Sequence, residues 1–225
     1  MERIGHRGAP SLATENTLAS FAQATALGVD AVELDVQLSA DGCLMVIHDD
    51  TVDRTMPGTG RVDALSADSL MALGVPTFAA VLEVLAGHCG LTCELKGPNT
   101  GPLAVGEVAA AGLIGTTVFT SFALDRIAEI KAAEPSLRVG GISGSATDEL
   151  LARLIDLRAE LADVHWAALT PAWVESARAA GLRVRAWTVN DEAALTHALA
   201  AGVDGVMSDR PDWLLPALEA ARQAG

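Results

Sequence analysis

Short apolar, β-branched runs alternate along the chain with longer alanine-rich stretches of helical periodicity. The runs 3–6, 31–37, 91–95, 117–121, 138–142, 163–168, 183–188 and 203–208 read as strands. The stretches 14–28, 77–88, 103–112, 123–134, 147–160, 171–180, 191–201 and 211–223 read as helices. Thr14 before Glu15, Pro171 in a first turn, and Asp191 and Asp212 at N-terminal ends are start signals. Gly28, Gly112, Gly181 and Gly202 stand where helices should stop. Eight β–α repeats without a linker predict one domain over residues 1–225, a (β/α)8 TIM barrel. A doubly wound sheet shares the alternation, but it would use five or six repeats.

One segment breaks the rhythm. After the second strand, Asp41-Gly42 is a hairpin-turn signal. A two-residue turn there pairs residues whose numbers sum to 83 and sets His48 opposite Asp35. Residues 49–65 carry no helical pattern and read as an active-site loop.

Barrel enzymes react at the C-terminal ends of their strands, so the alternation of each strand assigns faces. In 31–37, Val32, Leu34 and Val36 face the helices, and Glu33, Asp35 and Gln37 face inward. In 91–95, Leu91, Cys93 and Leu95 face out, leaving Glu94 inward with Lys96. Inward carboxylates are costly without positive charge. Glu33, Asp35 and Glu94 suit an oxygen-ligated Mg²⁺ or Ca²⁺, or else a salt-bridge network with Arg185 and Lys96. Acid from two strands at one end favours the metal, and the lack of Cys or paired His ligands disfavours Zn²⁺.

His6 and His48 belong to the same end and suit general acid–base work. His88, His165 and His197 receive no role, His165 because it reads as lying near a strand's beginning. Arg7 offers a planar fork and Lys96 a point charge for phosphate. Gly8 permits close backbone approach. Trp187 reads as core or as an apolar wall at the mouth, Phe122 likewise, and Asn16 as a helix cap.

Composition narrows the classes. The chain has 225 residues, half of them hydrophobic, with 15 basic and 29 acidic side chains and a net charge of −14. It is therefore not disordered. Acidity without a basic stripe argues against nucleic acid and against anionic membrane surfaces. No apolar run reaches the roughly 20 residues of a membrane span. The opening residues show no signal-peptide pattern, and three unpaired cysteines read as small buried thiols, so a cytoplasmic location is expected.

His6-Arg7-Gly8, Glu15-Asn16-Thr17, Glu33-Leu34-Asp35-Val36, His48-Asp49, Glu94-Leu95-Lys96, Ser121-Phe122, Trp187-Thr188-Val189-Asn190 and Gly202-Val203-Asp204-Gly205-Val206 occur in that order. This ordered set resembles the glycerophosphodiester phosphodiesterase family over essentially the whole chain. The resemblance implies a TIM barrel that hydrolyses glycerophosphodiesters, small-molecule substrates, to an alcohol and glycerol 3-phosphate. It implies that His6 and His48 match the catalytic pair, and Glu33, Asp35 and Glu94 the divalent-metal ligands. Arg7 and Lys96 match phosphate contacts, and Trp187 a substrate-side aromatic. A lysophospholipase D of the same superfamily is the second enzyme reading. It is disfavoured by the lack of an amphipathic membrane element. The chain departs from the family in a short insertion after His48-Asp49, which implies a more open pocket, and in Ser208-Asp209 where Thr-Asp is usual.

Overall fold

In the computed structural model, which describes residues 1–224, eight parallel strands close into a ring. They are β1 (Glu2–His6), β2 (Ala31–Leu38), β4 (Gly90–Leu95), β5 (Thr117–Ser121), β6 (Val139–Ser143), β7 (Leu161–His165), β8 (Arg183–Trp187) and β9 (Gly205–Ser208). The first and last strands pair in parallel, Glu2 beside Gly205 and Gly5 beside Ser208, which closes the ring. A ninth strand, β3 (Leu44–Val46), lies antiparallel to β2 outside the ring. Helices α1 (Leu18–Leu27), α3 (Phe78–Leu85), α4 (Thr100–Ala110), α5 (Leu124–Ala133), α6 (Asp148–Asp156), α7 (Pro171–Ala179), α8 (Glu192–Ala201) and α9 (Pro211–Ala224) surround the barrel. The fold is thus the expected (β/α)8 TIM barrel with one extra strand bonded outside the ring.

The predicted faces are the observed ones. Val32, Leu34, Val36, Leu91, Cys93 and Leu95 pack outward with Phe21, Phe78 and Ile127 of the helices. The caps follow local chemistry. Thr170 caps α7 ahead of Pro171, and Asp191 accepts a hydrogen bond from the Ala194 amide at the start of α8. Gly28 and Gly202 end their helices in the left-handed region that glycine enters without penalty.

Several boundaries are corrected. The helix expected from residue 14 begins at Leu18, because the Thr17 hydroxyl caps it by accepting from the Ser20 amide. The strand expected at 163–168 is β7, which ends at His165 and gives way to a short 3₁₀ turn. His165 therefore stands at the C-terminal end of its strand, beside Trp187 in register. Cys93 is buried as expected, but Cys43 is exposed near the hairpin turn.

The hairpin register also differs. Val36 faces Val46 and Leu38 faces Leu44, so facing residues sum to 82. The loop has three residues, with Gly42 at φ 83 and Ser39 bonded to Cys43, where a two-residue turn was expected. Ile47, not His48, therefore meets Asp35 through its amide, 3.0 Å from the Asp35 carbonyl. The segment that follows contains an unforeseen helix, α2 (Ala67–Leu73), capped by Ser66. It also has a small core of its own, built on Met45, Ile47, Val52, Val62, Leu70 and Val75.

Candidate active site

Strand β2 explains how two distant histidines reach one place. One edge of β2 is filled by β4 from Ala31 to Val36. On the other edge β1 rises only as far as His6 beside Glu33, and β3 descends only to Val46 beside Val36. Between these points no strand pairs with this edge, and the Ile47 amide bonds the Asp35 carbonyl. The chain leaves β1 at His6 and leaves β3 just before His48, so both enter the gap beside Glu33 and Asp35. Arg7 turns away at φ 55, and Gly8 sits against α1, where a Cβ would lie 2.4 Å from the Ser20 hydroxyl.

A cavity of about 200 Å³ opens at this end of the barrel, lined on one side by His6, Arg7, Glu33, His48 and Glu94. The rest of its lining is mostly apolar, from Phe122, Ile142, Trp187 and Met207, with Asp163 and Thr188 among them. Trp187 is held by its indole N–H, 3.1 Å from the Asp163 carbonyl, and edge-to-face by Phe122 and His165. Below the cavity, buried Arg185 forms a fork to Asp163 at 2.6 and 2.7 Å and reaches Thr92. Arg185 thus pairs with Asp163, not with the acids at the mouth.

Glu33, Asp35 and Glu94 are all buried and present oxygens within 4.8 Å of one another. Lys96 Nζ lies 3.2 Å from Glu94 and 3.7 Å from Asp35, behind the cavity wall. The Arg7 amide donates to Glu33 at 3.1 Å, and its guanidinium lies 3.5 Å from Asp35. Burial, then the nearby Asp35 and Glu94 charges, hold Glu33 well above the ordinary carboxylate range. Burial and the Asp35 charge push Glu94 up to about 8. Burial also works to raise Asp35, but Arg7, His48 and Lys96 carry it below its ordinary value. Asp35 Oδ1 has no hydrogen-bond partner although it is buried. Buried carboxylates this close, one with an unsatisfied oxygen, fit a hard divalent cation that takes oxygen donors. Asn16, buried and at φ 55, is no helix cap; its amide donates to the other Asp35 oxygen at 2.8 Å.

Each histidine is oriented by a carboxylate. His6 Nδ1 lies 2.6 Å from Asp209, which is gripped by the Asn190 amide at 2.6 Å. His48 Nδ1 lies 2.7 Å from Asp49. A carboxylate on Nδ1 fixes that nitrogen as the protonated one and leaves Nε2 as the basic nitrogen. Burial lowers the His48 pKa, an effect that Asp35 and Asp49 partly offset. Asp49 is held at about 2, chiefly by its hydrogen bond from Arg54. Sequence reading places Asn190 and Asp209 in the family's motifs without a role and does not single out Arg54, since their contacts join segments far apart along the chain or lie in an irregular loop.

Residues 6–213 match the model of the glycerophosphoryl diester phosphodiesterase family. The chain belongs to that family. A glycerophosphodiester phosphodiesterase of Bacillus subtilis is 30% identical over 93% of this chain and 83% of its own. One from Caldanaerobacter subterraneus subsp. tengcongensis is 29% identical over 94% and 95%. Among solved structures, a phosphodiesterase of Oleispira antarctica in complex with its product sn-glycerol 3-phosphate superposes with a TM-score of 0.89. It is 29% identical, and the match covers 97% of each chain. As a glycerophosphoryl diester phosphodiesterase family member the protein is an enzyme, and its barrel mouth is the place to seek the reaction. Among the described residues no helix is long and apolar enough to cross a membrane.

Proposed function

We propose that this protein hydrolyses glycerophosphodiesters to an alcohol and sn-glycerol 3-phosphate at the mouth formed by β1, β2 and β4. The observation that carries the reading is the meeting of two carboxylate-oriented histidines with three buried acids in one cavity. Glu33, Asp35 and Glu94 hold a divalent cation, Mg²⁺ or Ca²⁺. When bound, it supplies Lewis-acid polarisation of a phosphate oxygen.

The rest of the work falls to side chains of this chain. One of His6 and His48 accepts a proton at Nε2 from the attacking oxygen, which belongs to water or to a glycerol hydroxyl whose cyclic phosphate water then opens, and the other, as imidazolium, donates its Nε2 proton to the departing alkoxide. Asp209 and Asp49 stabilise whichever ring carries positive charge. Arg7 and Lys96 offset the charge that builds on the phosphoryl oxygens. Trp187, with Phe122, walls the substrate's carbon skeleton and excludes water from that side. The reading carries a cytoplasmic location with it, which cell fractionation tests.

The test is turnover of glycerophosphocholine with Mg²⁺ or Ca²⁺ added back after chelation. His6→Ala and His48→Ala should each lower kcat by at least about a hundredfold. Near-normal turnover in both, or indifference to chelation, overturns the assignment.

A further inference from the structure

Arg54 lies outside the cavity wall and carries no role in the reaction just described, yet it joins the two halves of that site. Its Nε donates to Asp49 Oδ2, and Asp49 in turn holds His48 through Oδ1 at 2.7 Å. Its two terminal nitrogens form a fork on Glu15, Nη1 to Oε2 at 2.9 Å and Nη2 to Oε1 at 2.7 Å. Glu15 Oε1 also accepts from Arg7 Nη1 at 2.8 Å. One guanidinium thus spans from the carboxylate behind a histidine to the carboxylate behind a phosphate-facing arginine.

A half-exposed arginine in an ion pair ordinarily counts for little. Three features set this one apart. All three nitrogens of the guanidinium are used, in the planar fork that lysine cannot reproduce. Both carboxylates already hold a second group, so moving Arg54 releases two contacts at once. The loop that carries it is built to hold still. Thr51 bridges Arg61, the Val52 amide bonds the Gly60 carbonyl, and Val52 and Val62 sit in the small core under the hairpin. The short insertion is therefore a scaffold that presents Arg54 at a fixed height, not a loose cover.

We propose that Arg54 is a positioning residue that sets His48 through Asp49 and Arg7 through Glu15, so that one residue governs both proton transfer and phosphate binding. This rests on the proposed reaction for its kinetic readout. Its structural content is separate, because the His48 tautomer is observable without turnover.

The experiment compares Arg54→Ala and Arg54→Lys with Asp49→Asn and Glu15→Gln, each assayed for kcat and KM on glycerophosphocholine. Arg61→Met, in the same loop but paired only with exposed Asp63, serves as control. Arg54→Ala should lower kcat about tenfold and raise KM severalfold together. Asp49→Asn should act mainly on kcat, and Glu15→Gln mainly on KM. Methylguanidinium at millimolar concentration should restore part of the Arg54→Ala loss and nothing of the Asp49→Asn loss. Arg54→Lys keeps the charge and the loop, and should recover KM better than kcat. Imidazole ¹⁵N spectra should show His48 protonated at Nδ1 in the wild type and a tautomer mixture in Arg54→Ala.

An Arg54→Ala variant that folds and keeps wild-type kcat, KM and His48 spectrum overturns the proposal. So does an activity loss that methylguanidinium leaves untouched while the His48 spectrum stays native, since Arg54 would then act only on stability. If wild type turns over no glycerophosphodiester, the proposed reaction fails, and the ¹⁵N spectra alone decide the role of Arg54.

Discussion

Replacing Asp209 by Asn isolates what a carboxylate does behind His6. The change preserves shape, and the surroundings dictate how the new amide settles. Asn190 donates from Nδ2 to Asp209 Oδ2 at 2.6 Å, so the amide oxygen must take that side. Its NH₂ then faces His6 Nδ1, where the carboxylate now sits at 2.6 Å. A donor there makes Nδ1 an acceptor and moves the ring proton to Nε2, the wrong tautomer for a base. The variant also removes a charge that stabilises the imidazolium. Two charges about 4 Å apart interact by about 4 kcal/mol at an effective dielectric of 20. The Asp209 side chain is 34% exposed, and halving that energy for solvent screening leaves about 2 kcal/mol. Reversing the hydrogen bond costs about 1 kcal/mol more. Together these lower kcat by about a hundredfold at 1.36 kcal/mol per decade. Steady-state release of glycerol 3-phosphate measures it, with the thermal midpoint as a check on folding. A well-folded variant within threefold of wild-type kcat would refute the role given to Asp209.

Asn16→Ala frees the Asp35 carboxylate from its 2.8 Å hydrogen bond. Divalent-cation affinity by titration calorimetry should fall about tenfold, and unchanged affinity would count against the acid cluster as the metal site. Arg185→Met leaves Asp163 charged, buried and without its partner in the barrel interior, and should cost about 3–5 kcal/mol in denaturant unfolding. A loss under about 1 kcal/mol would mean that the interior admits water. Stability should also fall on acidification. Asp49 is held at about 2, chiefly by Arg54, and Asp209 and Glu15 lie below their ordinary values because His6, Arg7 and Arg54 outweigh burial. Carboxylates depressed in the folded state stabilise it above their unfolded pKa, and that contribution is lost as pH falls through the folded one. Thermal midpoints should therefore drop between about pH 4 and 2, and a flat profile there would contradict the three assignments.

The strands and their faces were legible because a barrel wall imposes period two on every segment. Val32, Leu34 and Val36 could not face inward without exposing Glu33 and Asp35 to the helix layer. Position along a strand was less legible. By sequence His165 reads as opening its strand, because the apolar run continues past it through Trp166, Ala167 and Ala168, yet the ladder stops at His165. His48 was reached through a register one residue off. Asp-Gly signals a turn but not its length, and a three-residue loop shifts every partner. The histidine still enters the site, because it lies beyond the ladder where alternation no longer binds. The partners of the site were least legible. Asp209 lies 203 positions from His6, and Arg54 sits in a loop whose polar residues look like ordinary surface. Nothing local marks a carboxylate as the orienter of a distant ring.

Closure of the ring by β1 and β9 ties the orientation of His6 to a residue made much later in the chain. His6 ends the first strand of the ring, and its orienting carboxylate follows the ninth strand, 203 positions further along the chain. A nascent chain that has completed β1 to β4 already holds Glu33, Asp35, His48 and Glu94, but it cannot set the His6 ring until Asp209 arrives. The contact between them is strongly non-local, at a separation of 203 residues, so the loop-closure entropy of almost the whole chain must be met before it forms. If His6 acts as proposed, phosphodiester turnover therefore also reports that the ring has closed and brought Asp209 to His6.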